Sequence, residues 1–250
     1  MNIFKKKKNC SIDRTIPSLL LITLPKSGSI YIASWLLKEF DYKQTWLSSG
    51  CFPDDTYIFR ELKDVSQGGM LSQDHVGPSS LNVSYIQNFN IKAAIHIRDP
   101  RDSLVSWIYY CIKNIKANKG FDLRRSAPRP SCELFDRPIK EIIDWHIENY
   151  LPIQCGWIHG WLTIAKQRGF LVTSFTRLVE EPESFLRDYA SFIGRPAKTA
   201  NIPIKEQGEH FRVGKSGQWD TEFSKTQKQR ANEIIESFNL SQGDFSKFLK

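Results

Sequence analysis

The stretch that most constrains the fold runs from Leu20 to Leu37 and reads LLITLPKSGSIYIASWLL. It opens within a short apolar run, Leu19–Leu24, which is typical of a strand buried on both faces. After the polar turn Pro25–Ser29, apolar residues recur three or four positions apart from Ile32 to Phe40, which predicts a helix. A tight turn between a strand and a helix points backbone N–H groups and the helix dipole at an anion. The sequence therefore predicts an anion site at this turn.

The rest of the chain alternates between apolar strand candidates and helical patterns. The strand candidates are Leu19–Leu24, Tyr57–Phe59, Met70–His75, Lys92–Ile97 and Phe170–Phe175. The helical patterns are Ile30–Phe40, Ser84–Phe89, Ser103–Ile115, Ile139–Gln167, Pro182–Ile193 and Lys225–Phe238. This alternation predicts an α/β fold in which helices flank a central parallel sheet on both faces. The proline- and glycine-bearing stretches 120–138 and 195–217 are predicted to be loops.

Charge and length limit the classes of partner. The chain has 250 residues and a net charge of +8, and residues 1–14 hold five basic side chains against Asp13 alone. The body is therefore only mildly basic, which fits a small polyanionic ligand better than nucleic acid. We interpret residues 1–17 as a basic, solvated tail and residues 18–250 as one domain.

No segment of the sequence predicts a membrane span, a disulfide framework or a metal site. The apolar run after the N-terminal lysines is short, and charged residues and Pro17 precede it, unlike a signal peptide. The cysteines are odd in number and widely scattered; they are Cys10, Cys51, Cys111, Cys132 and Cys155. We expect a cytoplasmic protein that needs no metal.

Two further segments carry residues suited to phosphate binding. Arg98 closes the strand candidate Lys92–Ile97, and Ser106 follows in the next helical pattern. A guanidinium offers a planar fork of donors that suits a phosphate dianion. Asp99 also reads as a helix N-cap, which is compatible with a phosphate contact from Arg98. The stretch FRVGKSGQW at 211–219 is a basic, glycine-bearing loop.

Together these segments resemble the sulfotransferase family that uses 3′-phosphoadenosine-5′-phosphosulfate (PAPS). The first family motif reads roughly Tyr-Pro-Lys-Ser-Gly-Thr-Thr-Trp, and residues 24–31 here read LPKSGSIY. The second, Arg-Asn/Asp-Pro-x-Asp-x-x-x-Ser, matches RDPRDSLVS at 98–106. The third, Arg-Lys-Gly-x-x-Gly-Asp-Trp, is similar to RVGKSGQW at 212–219. The three motifs occur in the family's order, and the resemblance implies a P-loop-kinase-like sulfotransferase fold.

The resemblance also implies a set of cofactor-binding residues. The turn would hold the 5′-phosphosulfate, and Lys26 would neutralise charge on the bridging oxygen as the sulfuryl group leaves. Tyr31 stands where the family stacks a Trp on adenine, and Phe175 stands where many relatives have a Tyr. The implied set is Lys26, Ser27, Gly28, Ser29, Ile30, Tyr31, Arg98, Ser106, Phe175, Arg212, Val213 and Gly214. The product would be adenosine-3′,5′-bisphosphate (PAP).

Transfer to a hydroxyl requires a proton acceptor, and a histidine suits that task near neutral pH. His75 ends a predicted strand, and the family often places a strand-end histidine, within Lys-Thr-His, at about this distance before its second motif. His75 is therefore the predicted general base, with Asp74 as the alternative. Gln73 replaces the family lysine, Ile30 replaces a Thr and Val213 replaces a Lys, so donors present in relatives are missing.

The predicted function is sulfuryl transfer from PAPS to a hydroxyl or amine of a small-molecule acceptor, with natural-product tailoring as one candidate role. Two alternatives stay open at this point. One is a P-loop kinase or nucleotide phosphotransferase, although the lysine precedes the glycine here. The other is a non-catalytic protein that binds the bisphosphate or nucleic acid. The sequence leaves the oligomeric state open, with a homodimer as one possibility.

Overall fold

A computed structural model describes residues 12–48, 50–117, 128–198 and 216–241. Its strands form one five-stranded sheet in the order β2-β3-β1-β4-β5. All neighbouring strands are parallel. The strands are β1 Leu19–Thr23, β2 Lys43–Thr45, β3 Met70–Asp74, β4 Lys92–Ile97 and β5 Leu171–Ser174. The predicted α/β fold with a central parallel sheet is confirmed.

Helices connect these strands and cover both faces of the sheet. They are α1 Ser29–Glu39, α2 Phe59–Val65, α3 Ser80–Asn88, α4 Pro100–Lys116, α5 Ile139–Asn149, α6 Leu151–Arg168, α7 Phe175–Glu180, α8 Pro182–Ile193, α9 Gln218–Glu222 and α10 Lys225–Ser237. A 3₁₀-helix occupies Cys132–Asp136. Among the described residues, none of the helices combines the length and apolar character that crossing a membrane requires.

Strand β1 sits at the centre of the sheet and explains why its segment is apolar throughout. Successive side chains of a strand point to opposite faces. Leu20 and Ile22 belong to the core layer under α4, α5, α6 and α10. Leu19 and Leu21 belong to the opposite layer, with side chains of α1 and α8. Every residue of β1 is buried, so the run reads as continuous rather than alternating.

The structure corrects two of the predicted elements and adds a strand that the sequence analysis missed. The predicted strand Tyr57–Phe59 is wrong, because Tyr57 makes only an isolated bridge with Ser48 and Phe59 begins α2. The polar edge strand β2 was missed, since its residues are largely exposed. The single helix predicted over Ile139–Gln167 is two helices that meet at Tyr150, where Pro152 lacks the N–H needed to continue the first. The predicted loops at 120–138 and 195–217 lie partly outside the described residues.

The sheet order places a ligand crevice between β1 and β4. The chain leaves β1 toward β2 on one side of the sheet and leaves β4 toward β5 on the other. In open α/β sheets, ligands bind beyond the carboxyl ends of the strands where connections diverge in this way. The Pro25–Gly28 turn follows β1 and Arg98 follows β4, so both predicted anion-binding segments lie at this edge.

Buried Asn82 on α3 ties together two loops at the same edge of the sheet. Its side-chain N–H₂ group donates to the carbonyls of Asp55, at 3.0 Å, and Gly77, at 2.9 Å. Its side-chain oxygen accepts from the backbone N–H of Tyr57 at 3.1 Å. All three partners are backbone groups, so this amide fixes where the 55–57 loop lies relative to the segment after β3.

Asn82→Ala should lower the free energy of unfolding by about 2–4 kcal/mol, because three buried backbone groups lose their partner. The matched control is Asn149→Ala, since the Asn149 side chain makes one exposed bond, to the Trp145 carbonyl. The control should change stability by less than about 0.5 kcal/mol. Urea denaturation of both variants checks the difference. Equal losses in the two variants would contradict the cross-linking role of Asn82.

Candidate cofactor-binding and active site

Every backbone carbonyl of the Leu24–Ser27 loop accepts a hydrogen bond from a side chain. The donors come from the loop itself, from β4, from the residue that follows β4 and from α4. Ser27 Oγ donates to Leu24 O at 2.7 Å, Ser103 Oγ to Pro25 O at 2.6 Å, Arg98 Nη1 to Lys26 O at 3.1 Å and His96 Nε2 to Ser27 O at 3.0 Å. These four bonds fix the orientation of the peptide groups in the loop.

This anchoring decides where the backbone N–H groups point. In a trans peptide the N–H and C=O groups point in opposite directions, so the N–H groups of Lys26, Ser27 and Gly28 face the other side of the loop. Lys26 and Gly28 have positive φ angles of 64° and 87°, which curl the loop into a concave turn. Helix α1 begins at Ser29, and its first-turn N–H groups add to the same face. The result is a cradle suited to an oxyanion.

Lys26 supplies a positive charge at this cradle. Its Nζ lies 4.1 Å from the centre of the Tyr110 ring on α4. The pKa of Lys26 is lowered to about 8, chiefly by burial; the charges of Arg98 and Lys113 act in the same direction, and Cys111 opposes them. Lys26 thus feels the charges of two further cations, and a bound dianion would relieve this repulsion.

Arg98 is held on three sides in a buried position, with 7% of its surface exposed. Besides its bond to the loop, its guanidinium lies 4.2 Å from the centre of the Phe175 ring and 3.8 Å from the Asp102 carboxylate. The same carboxylate accepts from the backbone N–H groups of Gly217, at 2.8 Å, and Trp219, at 3.2 Å. Asp102 therefore joins the second motif to the end of the third.

His75 lies at the end of β3, next to the start of the loop. Its Nδ1 is 2.7 Å from the carbonyl of Thr23 and 3.1 Å from the Thr23 hydroxyl. A carbonyl only accepts, so Nδ1 carries the proton and Nε2 is left as the basic nitrogen. Burial lowers the pKa of His75 below its ordinary value, and the charge of Lys26 adds to this, although the Thr23 bond and Asp55 oppose it. The imidazole is therefore neutral at pH 7.

Asp74 occupies a different environment from that of its neighbour. Its carboxylate is 4% exposed and accepts a hydrogen bond from Ser72 Oγ at 2.6 Å. Burial raises the pKa of Asp74 to about 6, while bonds from Ser72, Ser48 and the Leu47 backbone limit the rise. The Asp74 carboxylate is therefore bonded within a buried cluster.

The other predicted residues are distributed as follows. Ser27 and Ser29 are buried at the turn, and Ile30 is 49% exposed. Tyr31 packs against the core layer of α1 and α8, and Ser106 is half-buried on α4. Phe175 is buried beside Arg98 at the start of α7. Arg212, Val213 and Gly214 lie outside the described residues.

A cavity of about 380 Å³ opens beside the segment that follows His75. Its lining combines apolar, small and acidic residues: Pro53, Asp54, Asp55, Thr56, Gly77, Pro78, Ser79, Ile153, Gly156 and Trp157. Trp157 and Trp161 both donate their indole N–H to the carbonyl of Val76, at 2.8 and 2.9 Å. These two bonds fix the backbone between the candidate base and the cavity.

Sequence reasoning missed several residues that shape the site. His96 and Ser103 donate to loop carbonyls, and the Thr23 carbonyl accepts from His75. None of these three residues is among those that the resemblance assigns to the cofactor. The available signal was their polarity, since His96 interrupts an apolar strand and Thr23 ends one. Only the register, which pairs Thr23 with His96, shows that they meet at the loop.

Comparison with known proteins places the chain in a family. The family model described as Sulfotransferase domain matches residues 17–204. The chain belongs to the sulfotransferase family. It is 23% identical over 210 residues to 3-beta-hydroxysteroid sulfotransferase of Cavia porcellus, covering 80% of this chain and 66% of that protein. Sulfotransferase 2A6 of Rattus norvegicus is 22% identical over 209 residues, with coverages of 79% and 66%. The chain thus spans slightly less than two thirds of these curated relatives.

Solved structures share the fold. The structure of mouse sulfotransferase SULT7A1 complexed with PAP superposes with a TM-score of 0.63 at 15% identity, covering 94% of this chain and 90% of that one. Retinol dehydratase in complex with androsterone and inactive cofactor PAP gives a TM-score of 0.56 at 14% identity, with coverages of 91% and 81%. At these identities the likeness establishes the fold, and the predicted P-loop-like sulfotransferase architecture is confirmed.

Lys26→Met should raise the unfolding temperature at pH 7 by about 2 °C or more, because the charged lysine is desolvated in the folded chain. The pKa of about 8 in the folded protein lies below the ordinary lysine value of 10.5. Wild-type stability from this group therefore rises as the pH increases from 8 to 10.5, and the advantage of the variant should shrink over that range.

Thermal unfolding at pH 7 and pH 10 measures this difference. Lys63→Met is the matched control, since Lys63 is exposed on α2, and it should behave alike at both pH values. A Lys26→Met variant that is no more stable than wild type at pH 7 would contradict the desolvation of Lys26.

Proposed function

We propose that this chain is a PAPS-dependent sulfotransferase that acts on a small-molecule acceptor. The observation that carries the proposal is that every carbonyl of the Leu24–Ser27 loop accepts a hydrogen bond from a side chain. The N–H groups of the loop therefore face away from those donors, and Lys26 adds a positive charge to the same loop. Family membership and the PAP named in the structures of relatives support PAP and PAPS as the anion. The cavity beside Gly77 supports a small acceptor.

In this proposal the first motif holds the reacting end of the cofactor. The backbone N–H groups from Ser27 to Ile30 bind the 5′-phosphosulfate, and the Ser29 hydroxyl assists. PAPS supplies the sulfuryl group, and Lys26 stabilises the charge that develops on the bridging oxygen. A bound anion raises the pKa of Lys26 back toward its ordinary value and so keeps the lysine charged throughout the transfer. Fixed cations and backbone dipoles supply the electrostatic stabilisation.

Arg98 and Ser106, with Arg212 and Gly214, bind the 3′-phosphate in this proposal. The support is strongest for Arg98, which is buried and donates to the Lys26 carbonyl of the loop. Its fork is oriented by Phe175 and Asp102 before any ligand arrives, which reduces the entropy lost on binding. Tyr31 and Phe175 remain the proposed adenine contacts, with Tyr31 flanking the turn at the surface of α1.

His75 is the proposed general base. Its Nδ1–H is committed to the Thr23 carbonyl, so Nε2 is available to accept the proton of the acceptor hydroxyl. Its lowered pKa keeps Nε2 unprotonated at neutral pH. Thr23 precedes the cradle loop by one residue in β1, so one short stretch of backbone positions both the base and the cofactor.

Arg98→Ala should weaken PAP binding by about 2 kcal/mol, or roughly thirtyfold, because a charge-assisted contact is lost. Isothermal titration calorimetry with PAP measures this change. Arg60→Ala is the matched control, since Arg60 is exposed and pairs only with its neighbour Glu61 among the described residues. An Arg98→Ala variant that binds PAP as tightly as wild type would contradict the proposed contact between Arg98 and the 3′-phosphate. A wild-type protein that binds Mg-ATP and not PAP would overturn the proposed function in favour of a kinase.

His75→Ala should lower kcat by roughly 10²–10⁴ and leave PAP affinity nearly unchanged, as expected for loss of a general base. Asp74→Asn is the control and should keep most activity. The wild-type kcat/KM should fall on the acidic side as a group with a pKa below 6.5 gains a proton. Because the pKa of Asp74 is also raised to about 6, the substitutions decide between the two residues and the pH profile does not.

Steady-state kinetics with PAPS and an acceptor identified from an alcohol and amine panel provides the measurement. Loss of activity in Asp74→Asn with activity retained in His75→Ala would reverse the assignment. Retained activity in both variants, with none in Lys26→Ala, would mean that the acceptor needs no base, as for a neutral amine or a phenolate.

A further inference from the structure

His96 is a completely buried histidine that the proposed mechanism does not use. It lies in β4 with 0% of its surface exposed. Its Nδ1 is 2.9 Å from the Thr173 hydroxyl of β5, and its Nε2 is 3.0 Å from the Ser27 carbonyl of the cradle loop. The Thr173 hydroxyl in turn lies 3.3 Å from the hydroxyl of Tyr189 on α8. A series of hydrogen bonds thus connects Tyr189 on α8 to the cradle loop.

The chemistry of these groups decides which atom donates in each hydrogen bond of the series. The Ser27 carbonyl can only accept, so Nε2 of His96 carries the proton. Nδ1 is then an acceptor, and it receives the Thr173 hydroxyl proton. The Thr173 oxygen can accept from the Tyr189 hydroxyl, so all three bonds donate in the same direction, from Tyr189 toward the Ser27 carbonyl. Burial lowers the pKa of His96 to about 4, and the charge of Arg98 opposes protonation too, so the neutral ring persists.

We propose that His96 is a positioning residue that aims the Gly28 N–H at the bound anion by holding the Ser27 carbonyl. The inference rests on the proposed function, because it takes the loop to be the site of the 5′-phosphosulfate. His96 contacts the loop from beneath, on the side opposite its N–H groups. It therefore acts through the peptide between Ser27 and Gly28 and contacts no ligand itself.

The surroundings of His96 favour a role in directing the loop over simple filling of the core. Ile95 and Ile97, its neighbours on β4, are equally buried and apolar. An apolar residue would satisfy packing against the Phe185 ring, which lies edge-on at 5.9 Å. Only a donor at the Nε2 position satisfies the buried Ser27 carbonyl, and a donor fixed by Thr173 holds one orientation.

The test compares two amides that reach different positions of the imidazole. In His96→Gln the side-chain N–H₂ group can occupy the place of Nε2, whereas the shorter amide of His96→Asn reaches only that of Nδ1. Calorimetry with PAP should give His96→Gln an affinity within about threefold of wild type. His96→Asn should bind roughly ten- to thirtyfold more weakly, as expected for one lost buried hydrogen bond. Thermal unfolding of both variants establishes that they are folded at the titration temperature.

A second pair tests the Thr173 contact. Thr173→Ser keeps the hydroxyl and should retain wild-type affinity, and Thr173→Val removes it and should weaken PAP binding by roughly three- to tenfold. Equal affinities of His96→Gln and His96→Asn, or of the two Thr173 variants, would show that only packing matters and would overturn the inference.

Nitrogen-15 NMR of the histidine rings in the wild-type protein tests the inference without a ligand or a variant. His96 should show the Nε2–H tautomer, unchanged between pH 6 and pH 8. An Nδ1–H tautomer or a positively charged ring would overturn the inference. Failure of the wild type to bind PAP would instead overturn the proposed function, and the tautomer measurement keeps the two failures apart.

Discussion

The site depends on one constraint, which is that the carbonyl oxygens of the Leu24–Ser27 loop are all bonded to side chains beneath it. A loop of this kind has no intrinsic preference for one direction of its peptide planes, and Lys26 and Gly28 adopt positive φ angles within it. Donors from the loop itself, β4, the turn after it and α4 fix those planes. Because N–H and C=O oppose one another, fixing the carbonyls creates the anion cradle.

Placing Lys26 at the cradle has an electrostatic cost. Lys26 is desolvated and close to other cations, which is why its pKa falls to about 8. Arg98 is buried but has Asp102 within 3.8 Å, so its charge is partly balanced. The two cations therefore differ: Arg98 is organised before binding, and Lys26 gains most when an anion arrives. This difference fits the role proposed for Lys26, which is to stabilise charge that develops during sulfuryl transfer.

Much of the fold follows from the sequence, because the strand–turn–helix segment and the alternating apolar runs depend on local pattern and burial. The edge strand β2 could not be predicted, because an exposed strand lacks an apolar pattern. The break at Tyr150 could not be predicted either, because a proline near a helix start is compatible with one helix or two. Motif resemblance singled out Lys26, Arg98 and His75, which the structure brings to one sheet edge. The support from His96, Ser103 and Thr23 was hidden, because it arises from strand register and contacts distant in sequence.

Strand β1 couples the candidate base to the candidate cofactor loop. The Thr23 carbonyl accepts from His75, and two residues later the Pro25 carbonyl accepts from Ser103. The spacing between base and cradle is thus set by a segment of backbone that is buried in the centre of the sheet and cannot shift without breaking pairs with both β3 and β4. On the C-terminal side of His75, Trp157 and Trp161 both donate to the Val76 carbonyl. His75 therefore bonds to the buried backbone of β1 and is followed directly by a residue whose carbonyl two indoles hold. Backbone fixed on both sides restrains the imidazole, which fits the general-base role proposed for it.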